Sequence, residues 1–468
     1  MGTTQVTGLS TQAIVALTTA QAAALTTEQV SKLTTTQIAA LQTDDLAALS
    51  TAAIVSLNNV QLTAMSTEQI AALTTAQIRA LEVADLVTLS AEQIVALTTA
   101  QVSKLSTDQL AALKTAQIAS METDDVAAIT TAQISALTTA QVAALTTAQA
   151  SKLSTDQVAS LTTAQVVVLG TAQIASLTTG QVVALSTGQV AALTTTAVRG
   201  MSVDQLSKVT TAQLASLTTA QVSVLTADQL AGLTTTQISK LTETQVGTLT
   251  STQIKTIETA DLQLMTAAQL QAITTTAAKA LTVDQVTALT SVQISKLTEA
   301  QVAVLSAAQV QAITTTAVQQ LTNSQVQALT TDAVVALTTA QAAVLTSAQV
   351  SVMSTAQLSK LETADLAALG TSAIAALTTD QATKLTTDQL VALTTDQAAK
   401  LSTDALSSLS SAQVGVLQTA DLAQVSTAAI AAITTAALAG LTDAQMSKLT
   451  TAQVAGLTTD QVAKLSTA

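Results

Sequence analysis

Large aliphatic residues recur at two fixed positions of an eight-residue unit along the whole chain. Stepping by eight from Leu9 reaches Leu465 without an insertion or deletion, and each of these positions, the Leu slot, holds Leu, Met, Ile or Val. Five residues after each Leu slot lies a second apolar slot, which holds Val, Ile, Leu, Ala or Met. A fixed short period is typical of an array of identical structural units. We refer to each unit as an octad.

The spacing of the octads excludes one continuous helix. Eight residues make about 2.2 turns of an α-helix, so the apolar stripe would rotate by roughly 80° in every octad. Neither a long helix nor a coiled coil can bury such a stripe on one side. The chain must therefore bend within each octad.

The polar residues after each Leu slot predict where a helix begins. Ser or Thr nearly always follows the Leu slot, and Gln usually follows three residues later, as in Thr138 and Gln141. In a capping box the hydroxyl accepts from the third helical amide, and the Gln side chain returns to the N-cap amide. Leu137 and Val142 match the flanking hydrophobic staple. The pattern thus predicts one helix of about six residues per octad.

Charged residues occupy the octad in a polarised way. All 29 acidic residues lie one to four residues after a Leu slot, whereas 15 of the 16 basic residues lie in the last two positions, with Lys114 as the exception. A helix dipole favours acidic residues at its start and basic residues at its end. Strand dipoles largely cancel between neighbours, so this polarity favours helices.

A β-solenoid is the alternative fold, because Thr, Val and Ile favour strands and can form ladders. Against it, the two apolar slots are separated by five and then three residues, which would place them on opposite faces of a strand. The chain also has 12 Gly and no Pro, which is few for sharp β corners. We therefore predict an all-α solenoid or superhelix of very short capped helices, one per octad.

One octad alone buries too little apolar surface to offset the ordering of its backbone. Neighbouring octads must therefore stack on one another, as in solenoid proteins. No linker or charge block interrupts the pattern, so we predict a single array over residues 1–468 without an internal domain boundary. All seven Met residues lie in the two apolar slots and are predicted to fill the core.

Six octads depart from the pattern in two positions at once. The residue after the Leu slot becomes Gln or Glu, and the residue three positions later becomes Asp. These pairs, the acidic octads, are Gln42 and Asp45, Glu82 and Asp85, Glu122 and Asp125, Glu258 and Asp261, Glu362 and Asp365, and Gln418 and Asp421. Because both positions change together, we predict that the two side chains touch. Capping by both is the structural interpretation, and a weak Ca²⁺ site helped by Asp44 or Asp124 is the alternative.

The composition argues against catalysis. The chain has no His, Cys, Tyr, Trp or Phe, so it offers no imidazole base, thiolate or aromatic platform. We predict no enzyme activity, no catalytic, cofactor-binding or metal-binding residues, and no cofactor. The net charge of −13 disfavours nucleic acid. No apolar run of about 20 residues is present, which predicts no insertion into a membrane.

The phrase L-T-T-A-Q-[VI]-x-x, which spans the whole chain, resembles the octapeptide-repeat tracts of very large bacterial surface or secreted proteins that are often adhesin-like. The resemblance implies a structural role in an extracellular or cell-surface location.

Two functions follow from this architecture as hypotheses. The first is an extracellular stalk, spacer or self-assembling filament subunit. Both ends of the chain lie within the repeat, so either exposed apolar ends associate end to end or the chain is an excerpt from a longer array. The alternative is a surface-binding module in which regular Thr rows recognise ice or a polysaccharide. A scaffold that docks other partners along a groove is a third hypothesis, which the lack of aromatic anchors disfavours.

Overall fold

The computed structural model describes residues 2–465, and in this range every octad forms one short helix. Helix αn begins at residue 8n − 5, from α1 (Thr3–Thr7) to α58 (Thr459–Leu465). Helices of four residues are α11, α13, α31, α32, α37, α43, α50, α55 and α56. Helices of five residues are α1 to α4, α7, α8, α12, α18, α21, α25, α28, α29, α30, α38, α42, α47, α51, α52 and α57; α58 has seven residues and the others have six.

The described part of the chain contains no strand. The prediction of an all-α repeat fold is therefore confirmed, and the β-solenoid alternative is wrong. The physical reason is that most octads satisfy their first helical amides with their own capping residues, which a strand cannot do.

The chain changes direction between helices through two extended residues. Between α17 (Thr131–Ala136) and α18 (Thr139–Ala143), Leu137 has φ −58° and ψ 141°, and Thr138 has φ −68° and ψ 156°. No residue within 2–465 has a positive φ. Because this corner needs neither glycine nor proline, the scarcity of turn residues is compatible with a bend in every octad.

Most helices pack against the third helix before them and the third helix after them. For example, α16 (Thr123–Ala128) contacts α13 (Thr99–Val102) and α19 (Thr147–Lys152). Three octads therefore make one turn of the solenoid, which we call a coil. The helices of successive coils form three columns. The number of octads per coil did not follow from the sequence, because the octad pattern is the same whichever neighbour it packs against.

The chain divides into two compact units, Met1–Gln237 and Ile238–Ala468. Packing of helices on the third next helix recurs inside both units. The single array over residues 1–468 stays a prediction.

The core of each unit is built from the two apolar slots. Ile134 and Val142, in the second apolar slot, are 0% exposed, and Leu137 and Leu145, in the Leu slot, are 4% exposed. The methionines Met65, Met121, Met201, Met265 and Met353 are buried as predicted, whereas Met446 is half-buried and Met1 lies outside the described residues. No helix in residues 2–465 is long and apolar enough to cross a membrane.

Gly440 marks a point where two coils approach closely, and it gives a test of the packing. It follows α55 (Thr435–Leu438), which packs on α52 (Ser411–Gly415). A Cβ at Gly440 would overlap the backbone carbonyl oxygen of Ser411. Gly440→Ala is expected to destabilise this region by about 1–3 kcal/mol because the backbone must shift. Hydrogen exchange of peptides that cover α55 measures the loss.

The control is Gly188→Ala in α24 (Thr187–Ala192). Gly188 is exposed, and a Cβ there would lie 4.0 Å from the Ser186 hydroxyl oxygen. Alanine should stabilise this helix by up to about 1 kcal/mol. A similar loss of protection in both variants would contradict the packing described here.

Candidate functional site

The Gln at the third helical position closes the start of its own helix. Gln141 Oε1 accepts a hydrogen bond from the backbone N–H of Thr138 at 2.8 Å, and Thr138 Oγ1 accepts from the backbone N–H of Gln141 at 3.2 Å. The same reciprocal pair begins most helices, as at Thr74 with Gln77. The predicted capping box is confirmed.

The same side chain also joins two coils. Gln141 Nε2 donates to the backbone carbonyl oxygens of Leu110 at 2.9 Å and Leu113 at 2.7 Å. Both belong to the preceding coil of the chain, which we call the coil below. Gln141 is 1% exposed, so these bonds form away from solvent. Leu113 lies in an extended corner, where Gln141 supplies the donor for its carbonyl. Sequence reasoning missed this link, because the capping box uses the oxygen of the carboxamide and gives no signal about its nitrogen.

Substitution of Gln141 tests the link between coils. Gln141→Ala removes the side chain and leaves buried backbone groups without partners, so we expect a loss of about 2–4 kcal/mol. Gln141→Glu keeps an oxygen for the Thr138 amide but cannot donate to Leu110 and Leu113, and it should also destabilise the coil. Hydrogen exchange of peptides from α14 (Thr107–Ala112) and α18 is the measurement.

Gln320→Ala is the control, because Gln320 is exposed at the end of α40 (Thr315–Gln320). It should change local protection by less than about 0.5 kcal/mol. If Gln141→Glu were as stable as the parent chain, donation to the coil below would not contribute to the fold.

The acidic octads bury a carboxylate in the position of this Gln. All six Asp residues are buried, with exposures from 2% for Asp365 and Asp421 to 9% for Asp85. Four of their oxygen atoms are buried without a hydrogen-bond partner, namely Asp45 Oδ2, Asp261 Oδ1, Asp365 Oδ2 and Asp421 Oδ2. A carboxylate offers only acceptors, so it cannot replace the amide that donates to the coil below.

The N-cap members of the acidic octads do not cap their helices. None of the six Gln or Glu side chains makes a cap hydrogen bond, so the prediction of capping by both residues is wrong for this position. Instead, Gln42 Nε2 donates to the Val15 carbonyl oxygen at 3.1 Å, and Gln418 Nε2 donates to that of Val391 at 2.7 Å. These two Gln side chains therefore bind the coil below instead of their own helix.

A second sequence feature accompanies these octads. Gln42 binds Val15, which lies 27 positions earlier in the chain. In five of the six acidic octads the residue 27 positions before the N-cap Gln or Glu is also Val, namely Val15, Val55, Val95, Val335 and Val391. At the same octad position elsewhere, Val occurs only at Val87, Val167 and Val183. The two Gln bonds show that this position lies directly below the N-cap side chain. The spacing could have revealed the coil length from the sequence, but only through the comparison of octads three apart.

The paired side chains of the acidic octads influence each other. Burial raises the pKa of Asp85, and the neighbouring Glu82 raises it further. Burial raises the pKa of Asp125 to about 6, with smaller contributions from Glu122 and Asp124. The prediction that the two positions lie close together is therefore supported at these two octads.

The coil below also donates to some of these carboxylates. Thr395 Oγ1 donates to Asp421 Oδ1 at 2.8 Å. Burial raises the pKa of Asp365, a hydrogen bond from Thr339 lowers it, and Glu362 raises it. At Asp45 burial raises the pKa, and Asp44 adds to the effect. At Asp365 and Asp421 a Thr of the coil below thus donates to the side chain at the third helical position, whereas at an ordinary octad the Gln in this position donates to the coil below.

The pKa of Asp125 predicts a stability that depends on pH. The folded chain raises this pKa above its ordinary value of 3.8, so the protonated carboxyl stabilises the fold. This contribution is complete below about pH 3.8 and is lost as the pH rises through about 6. Solvent screens the exposed Glu122, so we expect a change of about 1 kcal/mol. Hydrogen exchange of α16, corrected for intrinsic rates, measures it between about pH 5 and pH 7.

Asp125→Asn should remove this dependence, since the amide does not titrate. Of the helices packed on α16, α19 carries the titratable Lys152 and α13 carries none. Asp156→Asn in α20 (Thr155–Ser160) removes an exposed carboxylate and should leave the profile of α16 unchanged. A flat profile in the parent chain would show that Asp125 keeps an ordinary pKa.

In the described part of the chain, no three His, Cys, Asp or Glu side chains converge as a metal-binding group. Asp44 and Asp124 therefore do not complete a set of three carboxylates with the acidic pair of their octad. Any cation at an acidic octad would need backbone oxygens among its ligands.

A family model described as ALTTAQ repeat matches the chain at residues 1–35, 38–75, 78–115, 118–155, 151–187, 182–219, 254–291, 358–395 and 414–451, which together cover more than half of its length. Six of these matches begin three residues before the Leu slot of an acidic octad, at residues 38, 78, 118, 254, 358 and 414. The acidic octads thus recur in phase with the repeat of the family. A search of curated proteins finds no match.

Proposed function

Since the chain belongs to the ALTTAQ repeat family, we propose that it is a non-catalytic structural protein, a stalk, spacer or filament subunit located outside the cell or on its surface. The resemblance to octapeptide-repeat tracts of bacterial surface proteins supports this location. The acidic composition disfavours nucleic acid as a partner.

The observation that carries the proposal is the use of the N-cap hydroxyls and of the glutamines at the third helical position to join the chain to itself. The N-cap hydroxyls accept from helix amides. The glutamines at the third helical position, the N3 glutamines, bind both the N-cap amide and the coil below. Inside each unit, most helices contact the third helix before and after them, so adding coils extends a unit without changing its existing contacts. Each added coil lengthens a unit by about 8–10 Å, the usual spacing of packed helices.

The link between coils also offers a route to self-association. Within the chain, a glutamine at the third helical position donates to corner carbonyls of another coil, as Gln141 does to Leu110 and Leu113. We propose that the same pairing of amide donors with corner carbonyls joins copies of the chain head to tail and extends them into a filament.

Electron microscopy and sedimentation over a range of concentrations test this assembly. The parent chain is expected to form fibres longer than one molecule.

Particles of one molecule at all concentrations in the parent chain would reject the filament and leave the spacer or stalk.

A further inference from the structure

We propose that the junction between Glu362 and Asp365, at the start of α46 (Thr363–Ala368), is a Ca²⁺ site formed together with the coil below. The ligands are the two carboxylates and the backbone carbonyl oxygen of Val335. The lower wall of the site comes from α42 (Thr331–Val335) and α43 (Thr339–Ala342). Glu122 with Asp125, above Val95, has the same arrangement in the sequence.

The first observation is the orphaned oxygen of Asp365. This side chain is 2% exposed, and its Oδ2 is buried without a hydrogen-bond partner. Thr339 donates a hydrogen bond to the same carboxylate. A buried carboxylate oxygen without a donor is costly, so this position favours a positive charge close to Oδ2.

The second observation concerns the backbone carbonyl oxygen of Val335. In the related octads Gln42 and Gln418 donate to the carbonyls of Val15 and Val391, 27 residues earlier. Val335 stands in this position relative to Glu362 and is the last residue of α42, so no amide four residues ahead in the same helix serves its carbonyl. A Glu carboxylate cannot donate to it. A cation between the two oxygens would satisfy both.

The electrostatic surroundings favour a cation as well. Glu362 and Asp365 act on each other as like charges. The helix packed above α46, α49 (Thr387–Ala392), adds Asp388, whereas α43 below carries no charged residue. Lys360, two residues before Glu362, is the nearest cation in the sequence, and its side chain is exposed.

The ligand chemistry selects Ca²⁺ rather than Mg²⁺ or a transition metal. Carboxylate and carbonyl oxygens in an irregular arrangement suit the flexible coordination of Ca²⁺, whereas Mg²⁺ requires an octahedron and retains its waters. Glu362 is exposed, so water can complete the coordination. Two carboxylates predict weak binding, in the range of about 10⁻⁴ to 10⁻³ M that is usual for extracellular modules.

Hydrogen exchange at pH 7 in buffered KCl, with added CaCl₂ or MgCl₂, tests the site in the full chain. Ca²⁺ is expected to slow exchange of peptides covering α43 and α46 by about threefold or more at concentrations above about 10⁻³ M, while Mg²⁺ has little effect. Glu362→Gln and Asp365→Asn should each abolish most of the response. Glu362→Gln recreates the natural pair of Gln418 and Asp421, so the variant is expected to fold.

Two controls separate the site from general screening of charge. Asp388→Asn removes an exposed carboxylate from α49, and Lys360→Ala removes the nearby cation; both should keep the Ca²⁺ response. The proposal is overturned if Ca²⁺ and Mg²⁺ act equally, if the double variant of Glu362 and Asp365 retains the response, or if acid alone protects α46 and Ca²⁺ does not.

Discussion

The fold depends on a side chain that accepts and donates at the same time. A helix of four to six residues leaves most of its amides and carbonyls without intrahelical partners, and such a helix is not stable alone. The carboxamide of an N3 Gln such as Gln141 accepts from the amide at the start of its helix and donates to corner carbonyls of the coil below. Because one side chain satisfies both kinds of orphan group, the octad can be very short and still bury its backbone.

Most of the helical architecture was predictable because its signals are local. The capping box at Thr138 and Gln141 and the two apolar slots identify helix and core from eight residues. The number of helices per coil was not predictable from one octad, since it depends on which octads pack together. The pairing of Gln42 with Val15 shows what was missed, because the relation spans 27 residues and appears only when octads three apart are compared.

Two periods coexist in the chain and do not coincide. One coil contains three octads. The first three acidic octads, in α6 (Thr43–Ala48), α11 (Val83–Leu86) and α16, instead follow one another at intervals of five octads, as do the family matches that contain them. Five octads correspond to one coil and two further helices, so each acidic octad lies in a different column from the previous one. These octads therefore surround the solenoid of the first unit, which fits a structural role better than one flat binding face.

The acidic octads differ from the ordinary octad by more than the missing Gln hydrogen bond to the coil below. In the other octads without an N3 glutamine, this position holds Ala, which is buried at Ala197, Ala277 and Ala317. Ala leaves carbonyls of the coil below without the Gln donor but introduces no charge. Asp at the same position adds a buried carboxylate, which costs more than Ala unless a positive charge compensates it.

The chain nevertheless combines this Asp with a long acidic or amide residue at the N-cap and, in five of six cases, with Val in the coil below. Drift from the common octad would not change three positions together, nor keep them in phase with the family repeat. A group that can accept a proton or a cation accounts for the choice of Asp over Ala. The natural Gln pairs, which supply one amide donor in place of one carboxylate, then represent a weaker form of the same junction.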